Sequence, residues 1–171
     1  MGRILANEDE VKALLQKGNM MNVNVVDLST LSFVDQLKLV RSSNILIGVH
    51  GAGLMHIMFA AEEAVLIEIH PSYRQDRHFR HAARMTGKLY MPIRAKRRES
   101  CVGSSDNVWA PIEELQAALD GAVRLARSFD DGISECGFMC PTNILAIDKR
   151  LDAHYKPGEA RSPHVKLKFP C

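Results

Sequence analysis

The segment Gly48-Val49-His50-Gly51-Ala52-Gly53-Leu54 has the residue types of a ligand-binding turn. Glycines let a backbone approach a ligand with no Cβ in the way. If a helix starts after Gly51, its first N–H groups lack intrahelical partners and favour an anion. A diphosphate would suit such a turn, and His50 could donate to a phosphate or a sugar hydroxyl. The spacing is not the dinucleotide-binding glycine fingerprint. The alternative is a plain tight turn beside a satisfied, half-buried histidine. Glu68 is the second candidate. A carboxylate within the apolar run Val65 to Ile69 is costly to bury unpaired. Near the strand's carboxyl end it could accept both hydroxyls of a ribose, or it could be a charge at a solvated strand end. His70 and Pro71 are expected to shape the following loop.

Two further groups invite chemistry. Arg74, Arg77, His78, Arg80, His81 and Arg84 form a basic stretch. At helical spacing these residues spread around the circumference, with Phe79, Ala82, Ala83 and Met85 supplying apolar contacts, so a solvated helix face is the expectation. Arg74 and Arg77, near the start, could reach a phosphate. Cys136 and Cys140, followed by His154 and His164, do not match the spacing of common structural zinc sites. No metal is expected. Cys101, Cys136, Cys140 and Cys171 are free thiols or disulfides according to compartment. The sequence has no Walker lysine motif, no Gly-x-Ser-x-Gly elbow, no His-Glu-x-x-His and no Asp-x-Asp. The last absence argues against metal-dependent nucleotide-sugar chemistry.

These residues need elements to position them. Asn7 is placed to cap a helix, with Glu10 as its capping-box partner, Val11, Leu14 and Leu15 on the apolar face, and Gly18 as a stop. Val23 to Leu28 reads as a strand. Ser32 caps a second helix, with Asp35 as the reciprocal acid and Phe33, Val34, Leu37 and Val40 at helical spacing. The wholly apolar run Ile45 to Val49 reads as a strand covered on both faces, the parallel-sheet signature. The glycine turn then feeds a helix carrying Leu54, Ile57, Met58 and Ala61. Ala64 to Ile69 is another buried strand. A helix from Asp76 to Met85 ends at Gly87, and Leu89 to Ile93 is a strand near an edge, because Pro92 cannot donate to a central ladder. Pro111 opens a long helix with Ile112, Leu115, Leu119, Val123 and Ala126 on one face.

Strands alternating with helices predict an α/β class with a Rossmann-like parallel sheet and flanking helices. Ligands of such sheets lie beyond the carboxyl ends of the strands, where both candidates fall. The expected division is a lobe over residues 1–129 and an irregular tail over 130–171. The 171 residues are 46% apolar and 25% charged, which fits one globular domain. A net charge of +2, without clustered aromatic and basic residues, argues against a nucleic-acid partner. No apolar run approaches the roughly 18 residues of a membrane span. Taken literally, the sequence reads as soluble and cytosolic.

The motifs together resemble glycosyltransferase family 61. The resemblance covers roughly residues 3 to 127. It is carried by Arg3-Ile4-Leu5-x-Asn7-Glu8, Ser32-Phe33-x-x-Gln36, Ile47 to Leu54, Phe59, Ile67-Glu68-Ile69 and Gly87-x-x-Tyr90. It implies an inverting, metal-independent transferase of the two-lobed GT-B type, taking a UDP-sugar to a protein or glycan hydroxyl with no cofactor. This chain resembles the carboxyl-terminal donor lobe alone. The implied donor-binding residues are Gly48, His50, Gly51, Ala52, Gly53, Leu54 and Glu68, with Arg3 at a position that can face phosphate. Ser32 and Gln36 would brace the strand ends. The general base would come from the missing amino-terminal, acceptor-binding lobe. Met55-His56 stands where a small polar residue is usual. Localisation in the secretory lumen, Golgi or endoplasmic reticulum, is implied too. The alternative is a non-catalytic lobe that binds a nucleotide or a partner, and a third possibility is an unrelated phosphate-binding α/β module.

Overall fold

The computed structural model describes residues 4–17, 21–71, 77–96, 107–130 and 142–147. In chain order the strands are β1 (Ile4–Leu5), β2 (Met21–Val26), β3 (Ile45–Val49), β4 (Val65–His70), β5 (Leu89–Arg94), β6 (Asn107–Val108) and β7 (Thr142–Ile147). The α-helices are α1 (Glu8–Gln16), α2 (Phe33–Arg41), α3 (His78–Met85) and α4 (Ile112–Asp130). Two 3₁₀ segments, Leu28–Thr30 and Ala52–Phe59, complete the described elements. Five parallel strands form the main sheet in the order β2-β7-β3-β4-β5, and β1 pairs with β6 in a small parallel ribbon. This is the expected α/β architecture, a parallel sheet flanked by helices.

Strand parity sorts the core into two faces, because successive side chains point to opposite sides. Ile45, Ile47, Val65, Ile67, Ile69 and Ile93 pack with α1 and α4 through Val11, Leu14, Leu15, Leu115, Leu119 and Ala122. Leu46 and Leu66 pack on the other face with Leu39 and Val40 of α2, Leu54 and Ile57 of the 3₁₀ segment, and Phe79, Ala82 and Ala83 of α3. The polar candidates at positions 50 and 68 share the parity of Leu46 and Leu66, so they belong to this second face. Pro92 lies on β5, which ends the sheet order, as a residue without an N–H requires.

Several local expectations hold. Ser32 caps α2: its hydroxyl accepts from the Asp35 N–H at 3.2 Å and donates to the Asp35 carboxylate at 2.7 Å. Gly87, with φ 74°, closes α3 in a Schellman arrangement, Lys88 N–H bonding the Ala83 carbonyl and Gly87 N–H that of Arg84. The basic residues of α3 are exposed while Phe79, Ala82 and Ala83 are buried.

Other expectations are corrected. Asn7 makes no side-chain cap on α1. Its amide instead clasps Ala110, donating to the carbonyl and accepting from the N–H, both at 2.9 Å, and so ties the start of α1 to the approach of α4. The segment after the glycine turn is 3₁₀ rather than α. Three residues per turn align Leu54, Ile57 and Ala60 on the buried side and leave Met58 and Ala61 exposed. Phe33 and Val34 are exposed at the start of α2, and Met85 is exposed at the end of α3. The tail expected to be irregular from residue 130 contributes β7, which inserts between β2 and β3. A six-residue strand there satisfies the ladder groups of two neighbours at once. Gly18 and the four cysteines lie outside the described residues.

Leu66 is fully buried on the second face, whereas Met58 is 45% exposed. Leu66→Ala is expected to cost about 2–5 kcal/mol and Met58→Ala under about 0.5 kcal/mol. Urea unfolding monitored by circular dichroism reads both, and equal costs would contradict the assignment of faces.

Candidate functional site

Glu68 lies near the carboxyl end of β4 with no exposed surface. Its register partners are Gly48 on β3 and Pro92 on β5. Gly48 places no side chain beside the carboxylate. Burying an ionised carboxylate requires donors for its oxygens. They come from three strands. The His50 Nδ1 lies against Oε1 of Glu68 in a very short contact. The Tyr90 hydroxyl donates to Oε2 at 2.7 Å. His70 Nε2 stands 3.3 Å from the same Oε2 and 2.8 Å from the Tyr90 oxygen. His50 and His70 rings stack with centroids 5.4 Å apart, and Phe79 of α3 meets His50 edge-on at 5.0 Å. His50 and His70 are themselves 5% and 8% exposed, so the cluster is part of the packed interior.

Burial pushes the Tyr90 phenol well above its ordinary range, helped by its hydrogen bond to Glu68 and by that carboxylate's charge, while Arg80 acts in the opposite sense. The hydroxyl therefore keeps its proton and remains a donor. His50, Glu68 and His70 also present nitrogen, oxygen and nitrogen donor atoms within 4.8 Å of one another, a set that could hold a divalent ion. Both carboxylate oxygens are engaged by hydrogen-bonding side chains.

The glycine turn leaves β3 directly from this cluster. His50 N–H bonds the Ile69 carbonyl at 3.0 Å, extending the β3–β4 ladder by one residue. Gly51 is extended, with φ 175° and ψ 165°, a conformation open to any residue. Its glycine is therefore not demanded by backbone strain. The 3₁₀ segment starts at Ala52, which is exposed, and Gly53 is half-buried. A second brace holds the turn from outside. Gln36 Nε2 donates to the Leu28 and Leu31 carbonyls at 2.8 and 3.1 Å, and its Oε1 meets His56 Nε2 at 2.8 Å. His56 Nδ1 lies 3.0 Å from the Gly53 carbonyl. Gln36 thus links the 3₁₀ segment to the loop after β2, whereas the resemblance implied a brace at the strand ends.

The sequence-derived site is therefore split. Gly48, His50, Gly51, Ala52 and Gly53 do gather at the carboxyl edge of β3. The Leu54 side chain, 1% exposed, points into the second core face, so only its backbone belongs to the turn. Glu68 is not poised to accept ribose hydroxyls, because its buried oxygens are bonded to side chains of this chain. Arg77 is exposed at the start of α3, and Arg3 and Arg74 lie outside the described residues. Sequence reasoning missed His70 and Phe79 as ring partners of His50, and His70 and Tyr90 as partners of Glu68. Their signal was parity: positions 50, 68, 70 and 90 fall on one sheet face once the register is known.

Residues 1–67 match the family model of Glycosyltransferase 61. Among curated proteins the chain is similar to EGF domain-specific O-linked N-acetylglucosamine transferases. The Drosophila melanogaster protein is 35% identical over 88 residues, 52% of this chain and 17% of the relative. The Mus musculus protein is 34% identical over 94 residues, 54% of this chain and 18% of the relative. That of Gallus gallus is 33% identical over 98 residues, 56% and 18% respectively. The matched segments thus span less than a fifth of each relative's length. No solved structure matches. The resemblance to glycosyltransferase family 61 read from the motifs is borne out by these matches.

The Tyr90 phenol gives a pH test. Because folding raises its pKa above the ordinary value of 10.0, the hydroxyl's contribution is fully present below about pH 10. Above that the unfolded chain sheds the proton while the folded chain retains it, so stability falls. Wild type is expected to be more stable than Tyr90→Phe at pH 8, the gap closing as pH rises past about 10. Chemical denaturation across that range reads it, and a gap independent of pH would count against a buried, Glu68-bonded hydroxyl.

Proposed function

We propose that this chain is the donor-binding part of a glycosyltransferase. It would receive a UDP-sugar whose sugar passes, with inversion and without a metal, to a protein or glycan hydroxyl. The observation that carries the reading is the His50 to Leu54 turn. It leaves a parallel strand at its carboxyl edge, inside the segment that matches the family. Ligands of parallel sheets bind at that edge. A helical N-terminus there supports an anion, and a diphosphate is the anionic part of the donor. The absence of Asp-x-Asp from the sequence supports phosphate recognition by backbone and side chains rather than through a metal ion.

In this reading the backbone of Gly51, Ala52 and Gly53 meets the diphosphate, and the buried His50 anchors the start of the turn. Arg3, Arg74 and Arg77 are candidates for phosphate contacts. Glu68 acts from behind, holding His50. The acceptor and the general base that deprotonates its hydroxyl belong to an amino-terminal lobe outside this chain. The relatives are named as EGF domain-specific O-linked N-acetylglucosamine transferases, and we extend only glycosyl transfer, not the EGF domain or the particular sugar, to this chain. The family resemblance favours the secretory lumen, Golgi or endoplasmic reticulum, as its location. No described helix is long and apolar enough to cross a membrane.

A second reading is a lobe that binds nucleotide or a partner without transferring sugar. It is favoured by the small share of each relative, 17–18%, that the matches cover.

Calorimetric titration of the 171-residue chain decides the donor class. UDP is expected to bind at least roughly tenfold more tightly than ADP, and Gly53→Trp to abolish binding by filling the turn. A folded chain that ignores UDP would overturn the proposal. Chelation with EDTA is expected to leave UDP affinity unchanged, and a large loss would refute metal independence. Transfer from a panel of UDP-sugars separates the two readings: turnover by the chain alone excludes the non-catalytic one.

A further inference from the structure

The outer face of α3 carries its charges against local preference. Arg77, Arg80, His81 and Arg84 follow one another at three- and four-residue steps, so they line one stripe of the helix, and all are exposed. The stripe runs about 10 Å along the axis. Arginine charges at this spacing repel one another. Positive charge at a helix start also opposes the macrodipole. The other three α-helices follow that rule, with Glu8, Asp9 and Glu10, then Asp35, then Glu113 and Glu114 in their first turns. The first turn of α3 has no acid, and Arg77 stands at its cap position. Among the described residues no ion pair relieves the stripe.

The neighbouring elements do not relieve it either. The 3₁₀ segment packed beside α3 holds no Asp or Glu, and neither does β5. Instead β5 adds Arg94, which is exposed and shares the parity of Tyr90, so it lies on the face that α3 covers. Arg80 is close enough to the Tyr90 phenol to act on its ionisation. α3 carries the chain back from the carboxyl edge, where β4 ends, to the amino edge, where β5 starts. At that second edge Glu62 and Glu63 line a cleft with Thr86 and Lys88. Positive charge therefore grows along α3 away from these acids.

We propose that the stripe is a docking surface for an acidic polypeptide segment, whose carboxylates supply the counter-charges that this chain does not. Charge complementarity sets the sign of the partner. The side chains set its class. The permanent charges of the stripe are all arginines, whose planar forks pair a carboxylate through two hydrogen bonds. Met85, beside Arg84, is 85% exposed. Arginine and methionine are enriched, and lysine depleted, where proteins meet proteins. A phosphate polymer fits less well: the net charge is only +2, and Phe79 is buried, so the stripe has no stacking platform for bases. The surface is distinct from the glycine turn, and the inference goes beyond the donor-binding reading without resting on it.

Fluorescence anisotropy of the full chain with a labelled peptide of glutamate, aspartate and leucine tests the surface. A control peptide of the same length carries glutamine and asparagine in place of the acids. The acidic peptide is expected to bind at least about tenfold more tightly than the control, and to weaken as salt rises through about 0.15 M. Arg80→Glu combined with Arg84→Glu should weaken it at least about tenfold. Lys17→Glu combined with Arg41→Glu makes the same change in net charge on α1 and α2, and should leave binding within about twofold. All four positions are exposed, and circular dichroism verifies folding. Should the reversed pair unfold, Arg80→Ala with Arg84→Ala is expected to keep the fold and still lose roughly threefold in affinity. A folded wild type that ignores the acidic peptide would overturn the proposal. Equal weakening by both reversed pairs would do so too, since net charge rather than the stripe would then be acting. Stripe-dependent binding of heparin or of phosphatidylserine vesicles, without binding of the peptide, would overturn it in favour of a sulfated glycan or a membrane. UDP affinity is expected to be unchanged in the Arg80 and Arg84 variants, and a chain that binds the peptide but no UDP would defeat the donor-binding reading alone.

Discussion

A carboxylate without exposed surface, set among valine, leucine and isoleucine in a parallel strand, constrains everything around it. Glu68 can occupy β4 only because its two oxygens are supplied with donors by β3, β4 and β5. Those donors dictate the identities of neighbouring positions. Gly48 is directly in register on one side, and Pro92 on the other belongs to the strand that ends the sheet order. His50, His70 and Tyr90 sit where the shared parity brings them to the carboxylate. Phe79, from the helix laid over this face, closes the cluster. An unsatisfied charge here would cost several kcal/mol, so the network and the sheet register are conditions of each other.

That constraint explains how a buried polar cluster bears on a surface turn. The turn begins at His50, the last residue held by the β3–β4 ladder. Its ring is anchored inward while its backbone delivers Gly51 and Ala52 to the strand edge. On the far side, Gln36 and His56 bind the 3₁₀ segment to α2 and to the loop after β2. The turn is thus held by one buried network and one half-buried one. A ligand meeting it would find groups already in place, which lowers the ordering cost of binding. The short 3₁₀ geometry serves the same end, because its three-residue period keeps Leu54, Ile57 and Ala60 in the core immediately after the glycines.

The match over residues 1–67 ends just short of Glu68, so the family match and the buried network are separate observations that meet at His50. The first links the segment that holds the turn to the Glycosyltransferase 61 family model, and the second says how one histidine of the turn is held.

Much was legible in the residues alone. Continuous apolar runs specified buried parallel strands, Ser32 and Gly87 marked helix ends, Pro92 marked an edge strand, and the glycine turn with its histidine marked the candidate site. These signals are local: they depend on periodicity, caps and backbone freedom within a few residues. Local sequence could not specify partners. The bonding of Glu68 to His50 and Tyr90 spans 18 and 22 residues and exists only in the registered sheet. The clasp of Asn7 on Ala110 spans 103 residues and displaced a helix cap that local pattern favoured equally. The entry of β7 between β2 and β3 likewise came from ladder groups that only a neighbouring strand could satisfy. The sequence by itself determined the elements and the place of the turn. Tertiary structure decided which groups share the buried carboxylate, because satisfying it requires donors from strands that meet only when the sheet is assembled.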